Sequence, residues 1–180
     1  MKKIIFVVLI LILQITQIQA QTPAPAKESI SKALEQAKKE KKKVFLMYHA
    51  SWCSWCKKMD KAMEDASCKA IFDKNFVIIH LTVQEMGQNK KLENKGAEEL
   101  LTQHNGANEG LPFWVFLDET GKVIENAKLR KSGESLDKGQ NIGCPSEKNE
   151  VEAFIEKLQL VGDFSKDDIR VIRKRFLLNK

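Results

Sequence analysis

With 180 residues, 43% of them hydrophobic and 30% charged, the chain has the makeup of ordinary globular material, long enough for one domain with a sizeable core. Its formal charge of +6 is mild, and its lysines gather in helical stretches such as residues 38–43 without interleaved aromatics, which argues against a nucleic-acid surface. Of its four cysteines two are spaced Cys-x-x-Cys and two lie far apart, which is not the doubled pair a zinc site usually asks for.

The chain opens with Met1-Lys2-Lys3, ten apolar residues from Ile4 to Leu13, and a polar stretch closing on Ile18-Gln19-Ala20. These are the charged, apolar and cleavage regions of a secretory signal. The apolar run is well short of the about 20 residues that span a bilayer, and no stop-transfer pattern or cysteine follows it. Residues 1–20 are therefore read as a cleaved leader that leaves no stable membrane anchor, with a retained anchor as the other reading. Cleavage removes Lys2 and Lys3 and brings the formal charge to +4. The expected location is periplasmic or secreted, where disulfides persist and partner disulfides exist to be exchanged. Residues 21–26, with Pro23 and Pro25, read as a linker.

Ile30, Ala33, Leu34 and Ala37 recur at helical spacing and predict a helix over residues 27–42. Val44 to Tyr48 has strand character and gives way at His49-Ala50-Ser51 to Trp52-Cys53-Ser54-Trp55-Cys56, where a helical pattern begins. Two thiols separated by two residues at a helix start can close into a disulfide and reopen. Backbone N–H groups and the helix dipole favour a thiolate there, and the ordinary cysteine pKa of about 8.5 falls to roughly 3.5–7.5 in such settings. Cys53 is accordingly the expected nucleophile, and Cys56, one turn further in and more buried, the thiol that resolves a mixed disulfide. Metal binding is the competing use of this spacing, and the strand-CxxC-helix context favours redox chemistry with no metal.

Phe76 to Val83 is the strongest strand pattern, and a helix over residues 96–104 should stop at Asn105-Gly106. Phe113 to Leu117, the turn Asp118-Glu119-Thr120-Gly121 and residues 122–126 predict an antiparallel hairpin. The alternation of β and α elements before it predicts a parallel core. Residues 127–145 carry no pattern, and a connection of that length either has a role or is mobile. A helix over residues 146–160 follows, with Val151, Phe154, Ile155 and Leu158 on one face. Ser165 with Asp168 three residues on opens a last helix through Leu177 or Leu178.

The tryptophan directly before the first cysteine, the CxxC at a helix start and Leu111-Pro112 entering the third strand together resemble the thioredoxin superfamily over residues 27–160, with residues 161–180 as a C-terminal helical extension. Within it, Ala50 to Met59 is similar to exported thioredoxin-like proteins close to the periplasmic C-terminal domain of the bacterial transmembrane thiol-disulfide transporter. The resemblance implies an α/β thioredoxin-like fold, a central mixed β-sheet flanked by helices with an extra C-terminal helix. It implies that Pro112 follows a cis bond and packs against the CxxC, leaving the backbone of Leu111 to pair with an extended partner segment. Trp52, Trp55, Leu111 and Phe113 would then form an apolar docking rim, with core packing as the competing reading, the stronger one for Phe113 and the weaker one for Trp55, which lies between the two cysteines.

One departure from the family stands out. Thioredoxins carry a buried aspartate six residues before the first cysteine, and here that residue is Met47. Glu85 and His49 are the substitutes that proximity in the pattern offers as proton acceptor, while His80 and His104 read as structural. Cys68 and Cys144 are expected to remain unbonded. A continuous helix from Cys53 would put Cys68 roughly 22 Å away, a disulfide needs Cα atoms within about 7 Å, and both expectations fail if that helix breaks near Asp65 to Ser67. Cys68 would be a buried small hydrophobe and Cys144 an accessory thiol on the long loop.

The function expected is therefore an exported thiol-disulfide oxidoreductase, reductase or isomerase rather than oxidase, needing no cofactor. Its partners would be the disulfides or dithiols of other exported proteins and a redox-recycling partner such as a membrane thiol transporter. A thioredoxin-like protein-binding module with a non-cycling disulfide is the alternative.

Overall fold

The computed structural model describes residues 22–131 and 133–179. The leader assigned to residues 1–20 lies outside them. The elements run α1 (Ala26–Glu40), β1 (Lys43–His49), α2 (Ser54–Met63), α3 (Lys69–Asn75), β2 (Phe76–Thr82), a 3-10 turn at Gly87–Leu92, α4 (Ala97–Gln103), β3 (Phe113–Leu117), β4 (Val123–Asn126), β5 (Lys128–Leu129), β6 (Gln140–Asn141), α5 (Lys148–Val161) and α6 (Lys166–Phe176).

Four strands form the main sheet in the order β2-β1-β3-β4. β1 and β2 are parallel, with His49 opposite Thr82 at their shared end, while β3 runs antiparallel to β1 and β4 antiparallel to β3. The parallel core expected from the β/α alternation is thus a single parallel pair in a mixed sheet. β1 and β3 are both covered on both faces, Val44–Tyr48 and Phe113–Leu117 being wholly buried, which is why each reads as an unbroken apolar run. Small residues on α1, Ala26, Ala33 and Ala37, are buried and let that helix approach the sheet closely.

The core is aromatic. Phe45 meets Phe116 at 4.6 Å between ring centroids, Trp114 meets Phe154 at 5.3 Å, and Phe154 meets Phe176 at 4.9 Å. Phe176 also packs on Phe72, so α6 is part of the core and not an appendage. Its start is the predicted capping box, Ser165 Oγ accepting from the Asp168 N–H and the Asp168 carboxylate accepting from the Ser165 N–H. Arg173 grips Glu152 of α5 through two hydrogen bonds of 2.7 and 2.9 Å, and Arg175 reaches Asp65 at 3.0 Å.

Two expectations are corrected. The helix after the CxxC is not continuous: α2 ends at Met63, and Asp65 accepts hydrogen bonds from the Ser67 N–H and hydroxyl, a local turn that competes with the helical ladder. Cys68 then begins α3, so the distance argument for its isolation fails, although Cys68 and Cys144 are indeed unbonded and buried. Residues 127–145 are not patternless either. β5 and β6 pair as a short antiparallel hairpin, fastened by Asn126, whose amide donates to the Leu136 carbonyl.

Candidate active site

β1 delivers the chain to a tight turn, in which the Cys53 N–H donates to the Ala50 carbonyl at 3.0 Å, and α2 starts at once. Cys53 is the residue capping that helix. Its Sγ accepts the Cys56 N–H at 3.0 Å and is bonded to the Cys56 Sγ, with the two Cα atoms 5.3 Å apart. The sequence therefore places a sulfur where a helix N-terminus has unpaired donors to offer. Ala50, Cys53 and Cys56 form a small buried cluster apart from the main core, and Leu111 packs against it. Cys56 is the more buried sulfur residue by a small margin, 1% exposed against 3% for Cys53.

Trp52 and Trp55 stand out on either side, 49% and 42% exposed, where a core role would have buried them. Trp52 is held by its indole N–H, which donates to the Gln84 carbonyl at 2.8 Å, and the Lys58 ammonium lies 4.1 Å from the centre of the Trp55 ring. Phe113 is wholly buried and belongs to the core, as its favoured reading had it, and Trp52, Trp55 and Leu111 are the apolar residues left around the disulfide.

Glu85 and His49 both lie at the end of the β1–β2 pair that carries the turn. The buried Glu85 carboxylate accepts the Ser51 N–H and the Ser51 hydroxyl, two residues before Cys53. His49 Nε2 is hydrogen-bonded to the Thr82 hydroxyl at 3.1 Å, and its ring lies 5.1 Å from that of His80. Burial, and then the neighbouring His80, holds its pKa below the usual histidine range. His80 itself is tied to Asp60 of α2 at 2.8 Å. Met47 is fully buried.

The Leu111–Pro112 bond is cis, as the resemblance implied. Beside it runs a groove of about 420 Å³ that starts at Trp55 and Leu111 and continues along Gln140, Asn141 and Ser146. Among the described residues, no set of His, Cys, Asp and Glu is arranged to hold a metal ion, and no helix is long and apolar enough to cross a membrane.

Residues 25–119 match the family described as Thioredoxin-like. The chain belongs to that family. Over 102 residues, or 57% of the chain, it is 31% identical to the thiol:disulfide interchange protein DsbD of Vibrio vulnificus, in two strains, CMCP6 and YJ016. That stretch is 16% of DsbD, so the chain spans about one sixth of the length of these relatives. Among solved structures it is similar to a disulphide isomerase from Xylella fastidiosa Temecula1, with 24% identity, 62% of this chain and 79% of that one covered, and a TM-score of 0.49. A thioredoxin from Thermus thermophilus is similar at 15% identity, covering 77% of this chain and 84% of its own, with a TM-score of 0.44.

In this thioredoxin-like chain the two remaining cysteines are unbonded and buried. Burial pushes the Cys144 thiol up to about 12 and raises that of Cys68, so neither is poised as a thiolate. Cys144 is 5% exposed, and its Sγ accepts from the Asn179 amide at 3.4 Å, which corrects the expectation of an accessory thiol. Three polar residues of the site went unread in the sequence. Ser51 had the strand-to-turn junction as its signal, and Lys58 its place one turn beyond Trp55. Asn141 had none, because it sits on a strand of two residues.

Proposed function

We propose that this thioredoxin-like chain is an exported thiol-disulfide oxidoreductase that exchanges disulfides with other exported proteins, acting as a reductase or isomerase rather than as an oxidase. The observation that carries the reading is the bond between Cys53 and Cys56 at the N-terminus of α2, with the Cys53 sulfur accepting a backbone N–H. In the reduced enzyme that same N–H and the helix dipole favour the Cys53 thiolate. The thiolate attacks one sulfur of a partner disulfide, forming a Cys53–partner bond and releasing the other partner sulfur as a thiolate. Cys56 loses its proton and attacks the Cys53 Sγ, which frees the second partner sulfur and leaves the Cys53–Cys56 disulfide. Two electrons have then passed from enzyme to partner.

Glu85 and His49 are the two titratable groups that this reading offers for the Cys56 proton. Trp52, Trp55 and Leu111, with Pro112, would position the partner. A dithiol must reset the enzyme, and a membrane thiol transporter of the kind the DsbD match suggests would supply it. Export rests on the signal pattern of residues 1–20. The direction rests on the likeness of residues 50–59 to reducing members of the superfamily.

The reading is tested by equilibrating the purified protein with defined glutathione or dithiothreitol ratios and by trapping with Cys56→Ser. A potential near −270 mV supports a reductase, and one near −120 mV would reverse the direction. Cys56→Ser should accumulate mixed disulfides through Cys53. A protein whose disulfide does not titrate and whose variant traps nothing is a binding module.

A further inference from the structure

The hairpin of β5 and β6 lies beyond residue 119, where the family match ends, yet it touches the segment that enters β3. The contact is made by Asn141. Its amide nitrogen donates to the Gly110 carbonyl at 2.5 Å and to the Pro112 carbonyl at 3.1 Å, while its oxygen accepts the Gly143 N–H at 2.9 Å. Both donors and the acceptor are used, so the hydrogen-bond network itself fixes which way the amide faces. The hairpin is also firmly seated. The Ile142 N–H donates to the Ala127 carbonyl, and the buried Trp114 indole donates to the Gly143 carbonyl at 2.8 Å.

This arrangement divides the backbone of residues 110–112 into used and unused groups. The carbonyls on both sides of Leu111 are occupied by one side chain. The N–H and C=O of Leu111 have no hydrogen-bond partner among the described residues, and of its neighbours' main-chain groups the Gly110 N–H alone is likewise open, Pro112 having no N–H, so Leu111 is the residue of the three that offers both a donor and an acceptor. Leu111 packs on the disulfide cluster and lines the groove that starts at Trp55. An extended segment joining this edge gains main-chain hydrogen bonds only where donors and acceptors are open, and a slip of one residue would turn every side chain, the reacting cysteine included, to the other face.

Resting on the oxidoreductase reading, we propose that Asn141 is a positioning residue that closes the Gly110 and Pro112 carbonyls to an incoming chain, so that a partner polypeptide finds a paired donor and acceptor only at Leu111 and its cysteine meets Cys53 in a single register. Asn141 touches neither sulfur. Its effect falls on polypeptide disulfides, which need register, and spares small disulfides, which do not.

The test compares wild type, Asn141→Ala and Asn141→Gln with insulin as the polypeptide disulfide and 5,5′-dithiobis(2-nitrobenzoate) as the small one, dithiothreitol serving as the recycling reductant. Asn141→Ala should raise KM for insulin about tenfold with kcat within twofold. Its rate toward the small disulfide and its reduction potential should stay at the wild-type values. Asn141→Gln, which keeps an amide donor, should recover part of the insulin KM. The proposal is overturned if the insulin KM of Asn141→Ala is unchanged, or if both variants lose activity equally toward both disulfides, the mark of a structural role. A wild-type protein inert toward both would instead overturn the oxidoreductase reading.

Discussion

Tyr48 and His104 are joined by one hydrogen bond, 2.8 Å from the phenol oxygen to Nδ1, which ties the end of β1 to the residue that closes α4. Burial pushes the histidine down to about 4 and the phenol upward, so both stay neutral in the folded protein at pH 7. The folded-state pKa of His104 lies below the ordinary value of about 6.5, so the unfolded chain takes up the proton first. Stability from this group is whole above pH 6.5 and is lost as the pH falls toward 4. His104→Gln should flatten that part of the pH dependence, by about 3 kcal/mol between pH 7 and pH 4. Urea unfolding at pH 4.5 and 7 checks this. Parallel curves for variant and wild type would mean that His104 is not held neutral.

Glu85 ties its own loop to the turn before Cys53 through both polar groups of Ser51, at 2.5 and 2.7 Å. Glu85→Gln replaces one of the two accepting oxygens with an amide nitrogen that cannot accept, and should cost about 1–2 kcal/mol. Ser51→Ala should cost less, because Ser51 is exposed and water can replace one bond. The readout is urea unfolding of the oxidised protein. A wild-type midpoint for Glu85→Gln would show that the carboxylate does not anchor the turn.

Glu125 on β4 accepts from two cations of different segments, Arg130 at 2.6 Å and Lys157 of α5 at 3.0 Å, with all three side chains at most a tenth exposed. Desolvation already draws the Lys157 pKa below its usual value. Glu125→Ala would leave two buried cations without their counter-charge, and about 3–5 kcal/mol of stability should go with it. Lys157→Met in the Glu125→Ala background should return part of the loss, since one uncompensated charge is then gone. Equal stabilities of the single and double variants in urea would refute this account.

Much of the site was legible because its parts are short and local. The CxxC declares itself within four residues, and the apolar run before it identifies the strand that carries it. Glu85 was legible for a reason of register: β1 and β2 are parallel, His49 lies opposite Thr82, and the residues just past both strands therefore meet at one end of the sheet. What escaped has equally local causes. The break in the helix at residues 64–68 rests on Asp65 and Ser67 hydrogen-bonding to each other, a competition that apolar periodicity does not register. The hairpin of residues 128–141 has strands of two residues, too short for any alternation, and it is held by polar side chains such as Asn126 in place of an apolar face. Phe113 read more as core than as rim because it opens an apolar strand, and the packing of β3 against β1 does bury it.

The redox pair lies within residues 25–119, while the groove beside it is lined partly from that stretch, by Trp55 and Leu111, and partly from beyond it, by Gln140, Asn141 and Ser146. On the proposed reading, a substitution on β6 would alter which proteins are admitted without touching the sulfurs, whereas α2 carries both Cys56 and the Trp55 of the groove. If that proposal holds, the far wall could vary while the thioredoxin-like core stays the same, and chains that share the same chemistry would diverge in the company they keep.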